Sequence, residues 1–346
     1  LVVAHSALAW PWSRRTEEFK PALPITPAEW QASQRKVPDL LASVKPQHRE
    51  RCENLLRGKA GRGWSQAWQD WMLYRNFFAG QERGVYLDIG TNEALTISNT
   101  AFLDLCLGWE GICFEPQEQY HTAIKRERSC KLVPECVMGR STQIVMPTQG
   151  GHSAAFHDKA GKTGKGKGNG TKVGAVAPVK TRTCVGVLDE IAKAKFQTSN
   201  IDLISIDIEG AEPYVLSCFP WERLRARLVL IETNHLNQRE VDAFFSRIGY
   251  ANVATMLQTD SSFLDNLYMR LPGGPLAHPP MVGGCSPKDK ELTGCCWVAG
   301  EAKTTGGEWR DFPITSTKAS LARMVKQYQK YSYGDMGLDK WQCTDE

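Results

Sequence analysis

Residues 84–92 read GVYLDIGTN, and residues 201–212 read IDLISIDIEGAE. Each is an apolar run of strand length that ends on an acid followed closely by a glycine. Near-continuous apolar strands of this kind are expected where helices cover both faces of a sheet. Working outward, further runs stand at Ile112–Phe114, Lys131–Val133 and Leu228–Glu232. Amphipathic stretches alternate with them at Ser98–Leu107, Gln117–Arg128, Val185–Lys195, Glu212–Phe219 and Gln238–Ile248. Ala251–Gln258 and Leu264–Arg270 read as a closing antiparallel pair. Strands alternating with helices predict an α/β fold built on a largely parallel sheet.

The chain around this block has 346 residues, 42% hydrophobic and 23% charged, enough to bury a core and too apolar for wholesale disorder. Its net charge of +4 is too mild to argue for nucleic acid, so no nucleic-acid partner is expected. No apolar run is long enough to span a membrane as a helix. Ala7-Leu8-Ala9 has the small-x-small form of a signal-peptidase site, so residues 1–9 read as a signal-peptide remnant, with an apolar strand as the competing reading. Residues 1–62 carry Pro21, Pro24, Pro27 and Pro38 and a helix predicted from Pro46 to Leu56. They read as an arm laid on the surface of something else. Residues 63–271 form the predicted domain, and 272–346 a cysteine-containing extension.

Eleven cysteines are many for a chain kept in a reducing compartment. Cys106, Cys113 and Cys218 sit in apolar sequence that predicts plain core packing. Cys285, Cys295, Cys296 and Cys343 cluster in a Gly/Pro-rich tail, where disulfides are useful. Zinc is disfavoured there, since no C-x2-C and no histidine at ligand spacing accompany them. The expected location is therefore the secretory-pathway lumen, an organelle lumen or the outside of the cell, with the cytoplasm as the alternative. Residues 159–172 (KAGKTGKGKGNGTK) superficially suggest a phosphate loop. That motif requires glycine at position 156, where Phe156 stands, so a flexible loop is expected.

Ligands of parallel sheets bind beyond the carboxyl ends of the strands. Three strand ends carry acids: Asp88, followed by Gly90; Glu115; and the pair Asp207 and Glu209. Gly90 permits a sharp turn beneath a ligand. Glu115 stands where an acid takes both hydroxyls of an adenosine ribose. No G-x-G-x-x-G dresses a helix for pyrophosphate, which favours S-adenosylmethionine over a nicotinamide dinucleotide. Taken singly, each acid also fits a plain helix cap.

The ordered set resembles the FkbM family of S-adenosylmethionine-dependent methyltransferases. It comprises Ser65-Gln66, Gln69-Asp70, Gly84 through Asn92, Ser98-Asn99-Thr100, Leu107 through Pro116, Ile201 through Glu212, Ile231-Glu232 and Ile248-Gly249-Tyr250. The resemblance covers about residues 64 to 270. It implies a Rossmann-like class I methyltransferase, with a mostly parallel seven-stranded sheet and methyl transfer, usually to oxygen. It further implies that Asp88, Gly90 and Asn92 shape the cofactor pocket and that Glu115 holds the ribose. Glu135-Cys136 would flank the adenine, and Ser98 and Asn99 would donate to the methionine carboxylate. Asp207 and Glu209 would lie beside the sulfonium and the incoming hydroxyl. Thr91 and Ala94 depart from the family, adding bulk at one position and a methyl where glycine is frequent at the other; an Asn or Asp often stands in place of Glu135.

An attacking hydroxyl must lose its proton, so Asp207, Glu209 and His235 (in IETNHL) are the candidate bases. His235 also reads as a turn-capping loop residue. His152 and His157, five apart, do not share a helical face, and no metal is expected. Trp64, Trp68 and Trp71 at i, i+4, i+7 read first as core. The acceptor class is a glycan or small-molecule hydroxyl. The rival is a catalytically silent scaffold whose arm and tail bind partner proteins. Glu115→Ala is expected to abolish cofactor binding with little loss of fold, on the premise that its partner is ligand rather than protein.

Overall fold

A computed structural model describes Ala22 and residues 25–59, 63–66, 69–138, 143–147, 176–184, 186–194, 196, 198, 200–209, 211–233, 236, 238–257 and 264–270. The Gly/Lys loop, His152, His157, His235, Trp68 and the four tail cysteines lie outside the described residues, as do the possible signal remnant and the extension after residue 271. The strands are β1 (Val85–Ile89), β2 (Glu110–Phe114), β3 (Lys131–Val133), β4 (Cys136–Met138), β5 (Gln143–Pro147), β6 (Val176–Thr183), β7 (Asn200–Ile206), β8 (Arg225–Glu232), β9 (Tyr250–Leu257) and β10 (Leu264–Arg270). The helices are α1 (Pro27–Ala42), α2 (Pro46–Leu56), α3 (Gln69–Leu73), α4 (Ala101–Leu107), α5 (Glu118–Glu127), α6 (Gly186–Lys193), α7 (Glu212–Cys218) and α8 (Gln238–Arg247). One π-helical turn, Tyr74–Phe78, continues α3.

Seven strands form one sheet in the order β3-β2-β1-β7-β8-β10-β9, with β10 alone running against the rest. The chain winds outward from β1 to β3 and returns to place β7 on the other side of β1. The switch point between β1 and β7 is where a doubly wound sheet opens a crevice. Alternate residues feed two cores, as the two-residue period of a strand requires. Tyr86, Cys113, Leu203, Leu228 and Leu267 face one core. Leu87, Ile89, Phe114, Ile204, Ile206 and Ile231 face the other, with α6, α7 and α8. β4, β6 and β5 make a small separate sheet that sequence periodicity does not announce.

The first core corrects the reading of the amino-terminal segment. Val37, Leu40, Cys52, Leu55 and Leu56 are buried together with Met72, Tyr74, Phe102 and Leu103. So α1 and α2 cover this chain's own sheet rather than something else's surface. Helix α1 is unpredicted because its prolines read as breakers, yet Pro27 sits at the helix start and Pro38 is accommodated inside. Thr26 accepts from the Glu29 N–H while Glu29 reaches back to the Thr26 N–H, a capping box written in the sequence as T-P-A-E. Trp64 and Trp71 are both buried in this core.

The cysteine expectation is also corrected. Cys52–Cys106 joins α2 to α4, Cys113–Cys130 joins β2 to the approach of β3, and Cys184–Cys218 joins the end of β6 to α7. Cys106, Cys113 and Cys218 are therefore bridged, not merely packed, because the fold brings Cα atoms 54, 17 and 34 residues apart to between 5.3 and 5.8 Å. Disulfides of this kind persist in oxidising compartments. In the chain-entropy account, the 54-residue loop corresponds to about 4 kcal/mol of stability. The Cys52→Ala/Cys106→Ala double variant is expected to lose roughly that amount in urea denaturation, with α1 and α2 the first elements to lose hydrogen-exchange protection. Among the described residues no helix is long and apolar enough to cross a membrane.

Candidate active site

Three strand ends meet at the switch point. Gly90 and Thr91 donate backbone N–H groups to the Phe114 carbonyl at 3.0 and 3.1 Å, and Asp207 donates its own to the Ile89 carbonyl at 3.0 Å. Gly90 has φ +93°, and a Cβ built there would stand 1.8 Å from the Asp207 carbonyl oxygen. Only glycine lets β1 turn this close to β7. Asn92, two residues on, also has positive φ (+56°), a conformation that asparagine tolerates better than most residues.

Glu115 lies just past β2 and is 2% exposed. One carboxylate oxygen accepts the Asn92 N–H at 2.6 Å and the other the Gln117 N–H at 2.7 Å. Each oxygen keeps a lone pair, so the group can still accept from a pair of ligand hydroxyls. Burial raises its pKa from 4.5 to about 7, against the two backbone donors that lower it. These contacts correct the premise that Glu115 has only a ligand for partner, and an alanine there strands two backbone N–H groups.

Asp88 is buried at the end of β1 and accepts a 2.5 Å hydrogen bond from the Thr100 hydroxyl. Burial raises its pKa, while Arg128 and the Thr100 and Thr91 hydroxyls hold it down. Glu135, between β3 and β4, is paired with Arg182 of β6 at 2.8 Å. The neighbouring Cys136 thiol is pushed up to about 12 by burial, with Glu115 adding to the shift. Ser98 accepts backbone N–H groups of Thr100 and Ala101 and so caps the turn into α4. The Asn99 side-chain oxygen is buried with no hydrogen-bond partner among the described residues, an acceptor that a ligand donor would satisfy.

On the β7 side the sheet edge is acidic. Asp207 and Glu209 follow β7, Glu212 opens α7, Glu232 ends β8, and Asp265 lies opposite Glu232 on β10. Burial raises the Asp207 carboxyl well above its ordinary value, with Asp265, Glu209, Glu212 and Asp88 adding repulsion. Burial likewise raises Glu232, and raises Asp265 to about 6. Glu209 stands at φ +55°, Glu212 accepts the Ile208 N–H at 2.9 Å, and the Gln69 amide donates to Asp265. Among the described residues no group of His, Cys, Asp and Glu is placed to hold a metal ion.

The arrangement thus has a hydroxyl-accepting half at β1 and β2 and an acidic half at β7, β8 and β10. Of the residues singled out in the sequence, Asp88, Gly90, Asn92, Glu115 and Asp207 converge on the switch point. Glu135 is engaged by Arg182. Sequence reasoning missed Glu232 and Asp265 as part of the acidic half, although Glu232 ends an apolar strand in the same way as the others. It also missed Arg128, which reads in KRERSC as one more surface charge.

A seven-stranded sheet of this order, with one reversed strand and helices on both faces, defines a class I methyltransferase-like domain. The family model of the methyltransferase FkbM domain matches residues 88–252. No curated protein matches the chain. Methyltransferases of this family generally use S-adenosylmethionine as the methyl donor.

Proposed function

We propose that this chain transfers a methyl group from S-adenosylmethionine to a hydroxyl oxygen of a glycan or small molecule. The observation that carries the reading is Glu115. It is a buried carboxylate at the end of the strand beside β1, each oxygen fixed by one backbone N–H and each with an acceptor position left. Such a group fits the vicinal hydroxyls of a ribose. Bound there, S-adenosylmethionine supplies an electrophilic methyl on a positively charged sulfur.

The remaining work falls to this chain's own side chains. Glu115 holds the ribose, Glu135 and Cys136 border the adenine, and Asp88, Gly90 and Asn92 shape the floor. Ser98 and Asn99 meet the amino-acid end; the Asn99 oxygen suits its ammonium, and the Ser98 hydroxyl proton its carboxylate. Asp207 and Glu209 are the candidate bases for the acceptor proton, and either, when ionised, favours a cation electrostatically. His235, outside the described residues, stays a candidate base. In-line alignment of oxygen, methyl and sulfur supplies most of the rate. The acceptor is sought among hydroxyl compounds of an oxidising lumen or the extracellular space, in keeping with the three disulfides. We retain 63–271 as the catalytic domain, with α1 and α2 as its cover. Their packing takes α1 and α2 out of the partner-binding arm of the scaffold reading, which rested also on the tail and on Thr91 and Ala94.

Titration calorimetry of the chain with S-adenosylhomocysteine tests this directly. Micromolar affinity is expected. Because the Glu115 carboxyl is protonated below about pH 7 in the free protein, affinity should fall as pH drops from 8 to 6, approaching tenfold per unit at the acid end. Absence of binding by the folded chain at pH 8 overturns the proposal.

A further inference from the structure

We propose that Arg128 is a positioning residue that clamps the turn at 94–100 and so sets the wall of the site that meets the amino-acid end of the cofactor. This rests on the methyl-transfer reading above. Arg128 sits at the carboxyl end of α5 with a fully buried side chain. Its Nε donates to both oxygens of Asp104, at 3.1 and 2.9 Å. Nη1 donates to the Ala94 carbonyl at 3.3 Å and the Ser98 hydroxyl at 3.1 Å. Nη2 donates to the Tyr86 hydroxyl at 3.1 Å and to the Thr100 hydroxyl at 2.8 Å. A guanidinium has five N–H bonds, and this set occupies all of them. Arg128 is therefore saturated by protein and has nothing left for a ligand carboxylate, so whatever it does for a ligand it does through other residues.

What it grips indicates the role. Ala94 and Ser98 flank Ile97, a β-branched residue at φ +53°. Such a conformation is strained and persists only where its surroundings over-determine it. Arg128 holds the backbone on one side of Ile97 and the side chain on the other, while Ile97 itself is bridged to Ser65. The next residue after Ser98 is Asn99, whose buried side-chain oxygen has no partner among the described residues. Thr100 then passes the clamp on to Asp88, accepting from Arg128 and donating to the Asp88 carboxylate, which lies 3.9 Å from Nη2. A buried charge network is weak as a device for stability alone, since apolar packing serves as well. Here three of its six acceptors, the Ala94 carbonyl and the Ser98 and Thr100 hydroxyls, lie on one turn of a site, which points to geometry as its use.

The test compares two probes, S-adenosylhomocysteine and 5′-methylthioadenosine, a thioether nucleoside without the amino-acid end. Thr100→Val keeps the side-chain shape and removes the hydroxyl between Arg128 and Asp88. It should weaken S-adenosylhomocysteine about tenfold and leave methylthioadenosine within about twofold, with Thr100→Ser restoring the wild-type ratio. Arg128→Lys should shift the ratio in the same direction. If Arg128→Lys fails to fold, the Arg128→Met/Asp104→Leu pair removes the clamp without stranding its main counter-charge. Equal weakening of both probes, or an unchanged ratio in folded variants, overturns the clamp while the cofactor reading stands. Failure of the wild-type chain to bind either probe overturns the cofactor reading itself, and the clamp with it.

Discussion

Glu115→Gln is expected to weaken S-adenosylhomocysteine binding by at least about 100-fold, the loss associated with an unpaired buried polar site at a ligand hydroxyl. The amide presents one oxygen where the carboxylate presents two, and its NH2 faces either the Asn92 or the Gln117 backbone N–H as donor against donor. The substitution also removes a titration. The folded pKa of about 7 lies above the ordinary 4.5, so the wild-type acid destabilises the fold increasingly as pH rises from about 4.5 through 7. An amide does not. The variant's melting temperature relative to wild type should therefore improve between about pH 5 and pH 7 and level off above that, even though its hydrogen bonding is worse. Retained affinity in the variant would remove Glu115 from the site. A flat difference in melting temperature would mean that the carboxyl is not desolvated. Glu115→Ala, by comparison, is expected to lose both ligand and stability, because two buried backbone donors go unsatisfied.

Gly90→Ala should be the most destructive single methyl added at any glycine whose surroundings are described. Its Cβ would meet the Asp207 carbonyl oxygen at 1.8 Å and the Ile208 side chain at 2.9 Å, in a backbone conformation at φ +93° that L-residues rarely adopt. Neither neighbour can give way cheaply. Asp207 is anchored to Ile89 through its own N–H, and β1 and β7 are adjacent strands at the centre of the sheet. Steric overlap with backbone combined with a disallowed φ belongs among the rare substitutions above about 4 kcal/mol, a large part of the stability of an ordinary domain. Loss of soluble protein, or a collapse of the urea midpoint, is the expected result. A variant melting within a few degrees of wild type would show that β1 and β7 do not approach as described.

What could be read without the fold was whatever is encoded locally. VYLDI at Val85–Ile89 and KLV at Lys131–Val133 are strands with the expected ends, and IDLISIDI and LVLIE differ from the observed strands by a few residues. An unbroken apolar run admits few other conformations. The acids Asp88, Glu115, Asp207 and Glu209 were legible as strand-end groups, because position at the end of an apolar run is itself a sequence property. The π turn and the three strands of the small sheet were not. They are short or half polar, and their partners lie far along the chain.

The same distinction separates the remaining cases. Sequence alone determined the main sheet-forming segments, the glycine turn and the strand-end positions of Asp88, Glu115, Asp207 and Glu209. Tertiary structure alone decided that Cys52 meets Cys106, that α1 and α2 belong to this core, that Glu232 faces Asp265, and that Arg128 is buried with every N–H engaged. The physical reason is range. Strand and turn preferences arise from a residue and its immediate neighbours. A disulfide, a cross-strand carboxyl pair or a buried guanidinium depends on groups tens of residues apart, and only the closed fold brings those together.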